Sequence, residues 1–87
     1  MTYEQEILFK IKGYDQSYKI VHYVYWCDYE ESAFMFILRK DNQLYEFSHM
    51  YSVYSSGEEP EFDPFPIDED RALYLIEEWE KDENYQI

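Results

Sequence analysis

The chain is predicted to be an α+β domain: a four-stranded antiparallel β-sheet in meander order with one C-terminal α-helix packed on one face. Three observations predict it. Segments dense in β-branched and aromatic residues follow one another to residue 54 with only short polar breaks. After a proline-bearing loop, the apolar period changes from two to 3.6. Eleven Tyr, six Phe and two Trp in 87 residues supply enough large rings for one core, and the length allows a single domain, 1–87.

Residues 5–12, QEILFKIK, alternate with Ile7, Phe9 and Ile11 on one side, which predicts a half-buried strand. Gly13 to Gln16 supplies turn chemistry. Residues 17–27, SYKIVHYVYWC, predict a long second strand, and the polar cluster Asp28 to Ser32 the next turn. Residues 33–40, AFMFILRK, make a third strand, and Asp41-Asn42 suits a two-residue hairpin loop. Residues 43–54 make a fourth, with Tyr45, Phe47, His49, Tyr51 and Val53 on one side. An acidic, proline-rich loop covers 55–67. Ala72, Leu75, Ile76 and Trp79 then fall at i, i+3, i+4 and i+7, the stripe of an amphipathic helix over about 69–82. Asp68 is its natural N-cap, with Glu69 and Asp70 in the first turn.

The middle strands are apolar on both sides. Ile20, Val24 and Trp26 oppose Val21, Tyr23 and Tyr25, and Met35 and Ile37 oppose Phe34, Phe36 and Leu38. One helix covers only one face of such a sheet. The other requires the Phe62, Phe65 and Ile67 segment, a second copy or a partner.

Charge narrows the function. The net charge is −13, and it is unevenly spread. Residues 1–40 hold five basic and six acidic side chains, whereas residues 41–87 hold two basic and fourteen acidic ones. Such a field repels nucleic acid and anionic membranes, so direct binding to either is not expected. The single cysteine, Cys27, excludes an internal disulfide and fits a reducing compartment. The N-terminal MTYEQEILFKIKG lacks the continuous apolar stretch of a signal peptide, and a cytoplasmic location is expected.

Chemistry-bearing motifs are weak. His22 and His49 lack a companion at metal-ligand spacing, and no acidic run has the glycine of a calcium loop, so no metal site is expected. Cys27 sits beside Asp28, whose carboxylate raises a thiol pKa, so a structural role is expected of it. Gly13 and Gly57 cannot build a phosphate-cradling loop. No catalytic residue, no cofactor and no enzymatic activity are predicted.

The unusual feature is EEPEFDPFPIDED, residues 58–70, with seven carboxylates, three prolines and no basic residue. On the helix, Glu77, Glu78, Glu80, Asp82 and Glu83 crowd the C-terminal half, where the helix dipole is already negative. Each conflict is worth only a few tenths of a kcal/mol. Their common direction indicates that stability did not select the pattern. Carboxylates spaced about 5–7 Å apart on a helix face or alternate strand positions can stand in for backbone phosphates.

In size, charge and Tyr/Asp/Glu-rich character the second half resembles the phage-encoded DNA mimics: anti-restriction proteins, inhibitors of uracil-DNA glycosylase and anti-CRISPR proteins. The resemblance implies an anti-defence inhibitor whose partner is a basic nucleic-acid-binding protein, a nuclease or CRISPR effector. The predicted partner-binding residues are Glu58, Glu59, Glu61, Phe62, Asp63, Phe65, Asp68, Glu69, Asp70, Tyr74, Glu77, Glu78 and Glu80. Two alternatives stand beside this one. The first is an accessory protein that homodimerises through its aromatic sheet face, near Phe34 and Tyr45. The second is an immunity protein against a basic toxin nuclease.

Overall fold

The computed structural model describes residues 2–27, 31–52, 61–81 and 85–86. The aromatic and β-branched stretches form β1 (Lys19–Cys27), β2 (Glu31–Lys40) and β3 (Gln43–Ser52), each antiparallel to the next. Asp41 and Asn42 join β2 to β3. Asp41 takes φ 57°, the left-handed backbone that a two-residue hairpin loop needs and a short polar side chain tolerates. Within the segment expected to be loop, Phe65–Ile67 forms a short β4 antiparallel to β3. Pro66 is accommodated because β4 lies at the sheet edge. The sheet formed by β1 to β4 is thus a four-stranded antiparallel meander. A two-residue β5 (Tyr85–Gln86) adds to the far side of β1, giving the order β4-β3-β2-β1-β5.

The C-terminal helix, α2 (Glu69–Lys81), forms where the 3.6 period places it. Asp68 caps it as expected, its carboxylate accepting the Arg71 N–H at 2.7 Å. The predicted last helical residue, Asp82, lies outside the described residues. Ala72 and Trp79 are buried against Val24, Ile37, Leu44 and Ile67, with Leu75 and Ile76 alongside. The helix starts at the β4 edge, directly after Ile67, and its Trp79 ring stacks on His22 of β1, with centroids 5.9 Å apart. It therefore runs across the sheet rather than along a strand.

The strand expected over 5–12 is instead a helix, α1 (Tyr3–Phe9). Thr2 and Gln5 form a capping box: the Thr2 hydroxyl accepts the Gln5 N–H, and the Gln5 side chain accepts the Thr2 N–H at 3.0 Å. Glu4 and Glu6 add favourable negative charge to the first turn. Leu8 is 0 % exposed in the core, whereas Phe9 is 42 % exposed. A strand with Phe9 facing inward would demand the reverse. After α1 the chain turns at Gly13, whose φ of +87° favours glycine. Lys12 pairs in a parallel bridge with Glu61, and the Phe62 N–H donates to the Lys12 carbonyl at 2.9 Å.

That helix resolves the problem of the second sheet face. Register places Ile20, Leu38 and Tyr45 in one cross-strand row, Tyr23, Phe36 and Phe47 in the next, and Tyr25, Phe34 and His49 in a third. Leu8 and Ile11 close over this aromatic face together with Tyr14, Tyr18 and Phe62. Phe62 plugs it, lying 5.2 Å from Tyr14, 5.1 Å from Tyr18 and 4.9 Å from Phe47 between ring centroids. Phe34 is buried and Tyr45 half-buried here, so the chain covers its aromatic face from within. The face assignment of β1 also differs from expectation. A bulge between Ile20 and His22 inserts Val21, so Ile20 joins Tyr23 and Tyr25 rather than Val24.

His49 ends the third aromatic row, and its Nδ1 finds no hydrogen-bond partner among the described residues. Burial holds its pKa below the ordinary 6.5. The unfolded chain therefore binds more protons than the fold as pH falls through the ordinary value towards the folded one. This group costs no stability above about pH 7 and becomes destabilising below it. A His49→Gln variant is expected to lose less thermal stability than the parent between pH 7.5 and 5, the general effect of neutralising carboxylates being common to both. Parallel melting profiles would contradict this.

Candidate protein-interaction face

Between residues 61 and 81 the sequence places eight carboxylates and two cations, Arg71 and Lys81. All eight acidic side chains are exposed. Asp68 is engaged in capping α2. Arg71 is held from two sides, its guanidinium 3.7 Å from Glu46 and 5.5 Å from the Tyr74 ring centroid. The second ion pair among the described residues, Lys40 with Asp15 at 3.3 Å, belongs to the loop that leads into β1. There the Ser17 N–H, ahead of Lys40, holds the Asp15 carboxyl below its usual pKa. None of Asp63, Glu69, Asp70, Glu77, Glu78 and Glu80 makes an ion pair among the described residues.

The fold sorts the predicted contact residues into groups. Asp70, Tyr74 and Glu77 fall on the side of α2 opposite Ala72, Leu75, Ile76 and Trp79, by helical periodicity. Glu69 and Glu80 flank this outer side on one edge and Glu78 on the other. Asp63 and Phe65 stand across an open groove of about 590 Å³ that Arg71 and Leu75 line from the helix and Glu46 and Ser48 from β3. Phe65 is 64 % exposed at its wall. Glu61 is carried away from this group to a backbone bridge with Lys12, with no ion pair between the two side chains among the described residues. Phe62 is turned into the aromatic core, so its ring belongs to the packing of the α1 face. Glu58 and Glu59 lie outside the described residues.

One residue on this face was not anticipated. Leu73 is 60 % exposed beside Tyr74, which is 54 % exposed. Its signal in the sequence is its position: it falls about 100° from Ala72 around the helix, off the apolar stripe that packs on the sheet. At the start of α2, one turn before Leu73, a shallow depression joins Asp68 and Glu69 to Arg39 and Gln43 beside the β2–β3 hairpin. There the Gln43 amide donates to the Ile67 carbonyl at 2.8 Å and fixes the start of α2 relative to the sheet edge.

Chemically, the face offers acceptors and apolar rings. Among the described residues no three His, Cys, Asp or Glu side chains converge as a metal site would require. No helix among them is long and apolar enough to cross a membrane. No family model, no curated protein and no solved structure matches the chain.

Proposed function

We propose that this protein is a stoichiometric inhibitor that occupies the basic nucleic-acid-binding cleft of a nuclease or defence effector, in the manner of an anti-CRISPR or anti-restriction DNA mimic. One observation carries the reading. The outer side of α2 and the adjoining β4 edge expose carboxylates that make no ion pair among the described residues. Of the two cations on α2, Arg71 is already held by Glu46, while Lys81 stands alone in the last turn against Glu77, Glu78 and Glu80. A protein stabilised for its own sake would distribute counter-charges among them, because like charges one turn apart repel. A cleft shaped for phosphates supplies the missing cations, and the field steers it on quickly.

The test is competition. Added to a purified nuclease or CRISPR effector, the protein is expected to reduce nucleic-acid binding in proportion to its molar ratio. Excess nucleic acid should relieve that inhibition. Raising salt from about 50 to 300 mM should weaken it steeply, since the Debye length shortens to well under 10 Å. Inhibition indifferent to both nucleic-acid concentration and salt would contradict occupation of the cleft.

A further inference from the structure

We propose, resting on the acidic-face reading above, that the outer stripe of α2 is a mixed anchor in which Leu73 and Tyr74 seat against an apolar or aromatic feature of a basic protein surface. Asp70 and Glu77 would then engage lysines or arginines on either side of that feature. Asp70, Leu73, Tyr74 and Glu77 stand at i, i+3, i+4 and i+7, so α2 carries two stripes on opposite sides. The inner one is consumed by the sheet. The outer one has two large apolar side chains at its centre and a carboxylate one turn away at each end.

Single exposed apolar residues need no explanation. Two adjacent ones in the middle of a charged helix face are different, since a face kept for solubility gains nothing from them. A third exposed apolar side chain, Phe65, lines the separate groove beside Arg71 and Leu75, on the flank of α2 away from Leu73. The Tyr74 ring already lies within 5.5 Å of the Arg71 guanidinium, which shows the ring face presented to a cation.

Charge selects the occupant. A second copy of this chain and an anionic membrane both meet a net charge of −13 and are repelled. A basic surface is attracted, and Asp70 and Glu77 sit about one helical turn, 5–6 Å, from the apolar pair. Exposed aromatic platforms between basic side chains are what single-strand-binding clefts use to stack bases, so Tyr74 has a natural seat in a cleft of that type.

Two labelled synthetic peptides of equal charge serve as probes, one alternating lysine with tryptophan and the other lysine with serine, titrated with the protein by fluorescence anisotropy. The parent protein is expected to bind the tryptophan peptide at least about tenfold more tightly than the serine peptide, that being the factor for two partly desolvated side chains. The Leu73→Ser/Tyr74→Ser variant should lose that preference while keeping its salt-dependent affinity for the serine peptide. The Asp70→Asn/Glu77→Gln variant should weaken towards both. Equal affinities in the parent protein, or a preference that survives the serine changes, overturn the anchor and leave the acidic-face reading intact. Absence of salt-dependent binding to either peptide overturns both. All four positions are exposed, so the variants should fold, which far-UV circular dichroism checks.

Discussion

Leu8→Asp is expected to abolish cooperative thermal unfolding, whereas Phe9→Ser leaves a folded protein whose melting midpoint falls only modestly. Leu8 is fully enclosed between α1 and the aromatic sheet face, and a carboxylate there has neither water nor a cation. The cost is several kcal/mol, set against a total stability of roughly 5–15 kcal/mol for a domain. Self-repulsion from a net −13 lowers the reserve further. Phe9 faces solvent and loses mainly its edge contact with Tyr14, at 5.3 Å between centroids, worth about 1 kcal/mol. The pair separates helix from strand at residues 3–9, because a strand with Phe9 inward exchanges the two outcomes. Denaturation followed by circular dichroism reads both.

The second large effect concerns binding. Reversing three charges, Asp70→Lys, Glu77→Lys and Glu80→Lys, is expected to weaken binding to an inhibited effector by at least about 100-fold. Each change exchanges attraction for like-charge contact with a basic cleft, and a total of about 2.7 kcal/mol suffices for that factor. Thermal stability should be close to unchanged, because the favourable anion lost at Asp70 in the first turn of α2 offsets the relief at Glu77 and Glu80. Glu77 and Glu80 sit towards the negative end of the α2 dipole and repel each other one turn apart. Loss of binding with no loss of folding is the signature of a surface selected for a partner. Loss of both would place these residues in the fold itself.

The sequence revealed the fold's framework where two independent signals agreed. For α2, the 3.6 period and the Asp68 cap coincided, and for the β2–β3 hairpin the Asp41-Asn42 pair lay between two apolar runs. α1 failed because QEILFKIK satisfies a period of two as well as it satisfies a helix, and the alternation of Ile7, Phe9 and Ile11 is conspicuous. The deciding signal was the capping pair three residues apart, Thr2 and Gln5, followed by acids in the first turn. Missing it left one sheet face without a cover. The Val21 bulge was not legible, since nothing in SYKIVHYVYWC marks where parity switches.

The site was legible as chemistry but not as geometry. Composition identified the carboxylates, and helical spacing put Asp70, Tyr74 and Glu77 on one side. It could not separate Phe62, drawn into the core by Tyr14, Tyr18 and Phe47, from Phe65, which stays at the surface three residues later. Nor could it show that Glu61 lands beside Lys12, since that bridge joins segments 49 residues apart in the chain. The exposure of Leu73 is not legible either, because a leucine next to an apolar stripe is ordinarily counted as part of it.

The most direct measurement is the association rate with an inhibited effector, followed by stopped-flow fluorescence across a range of ionic strength. For the parent protein the rate should fall at least about tenfold between low and moderate salt, as electrostatic steering requires. For the triple lysine variant it should be slow throughout and insensitive to salt. Equal rates for the two proteins, with the same response to salt, would show that the carboxylates of α2 face bulk water in the complex and that recognition lies elsewhere.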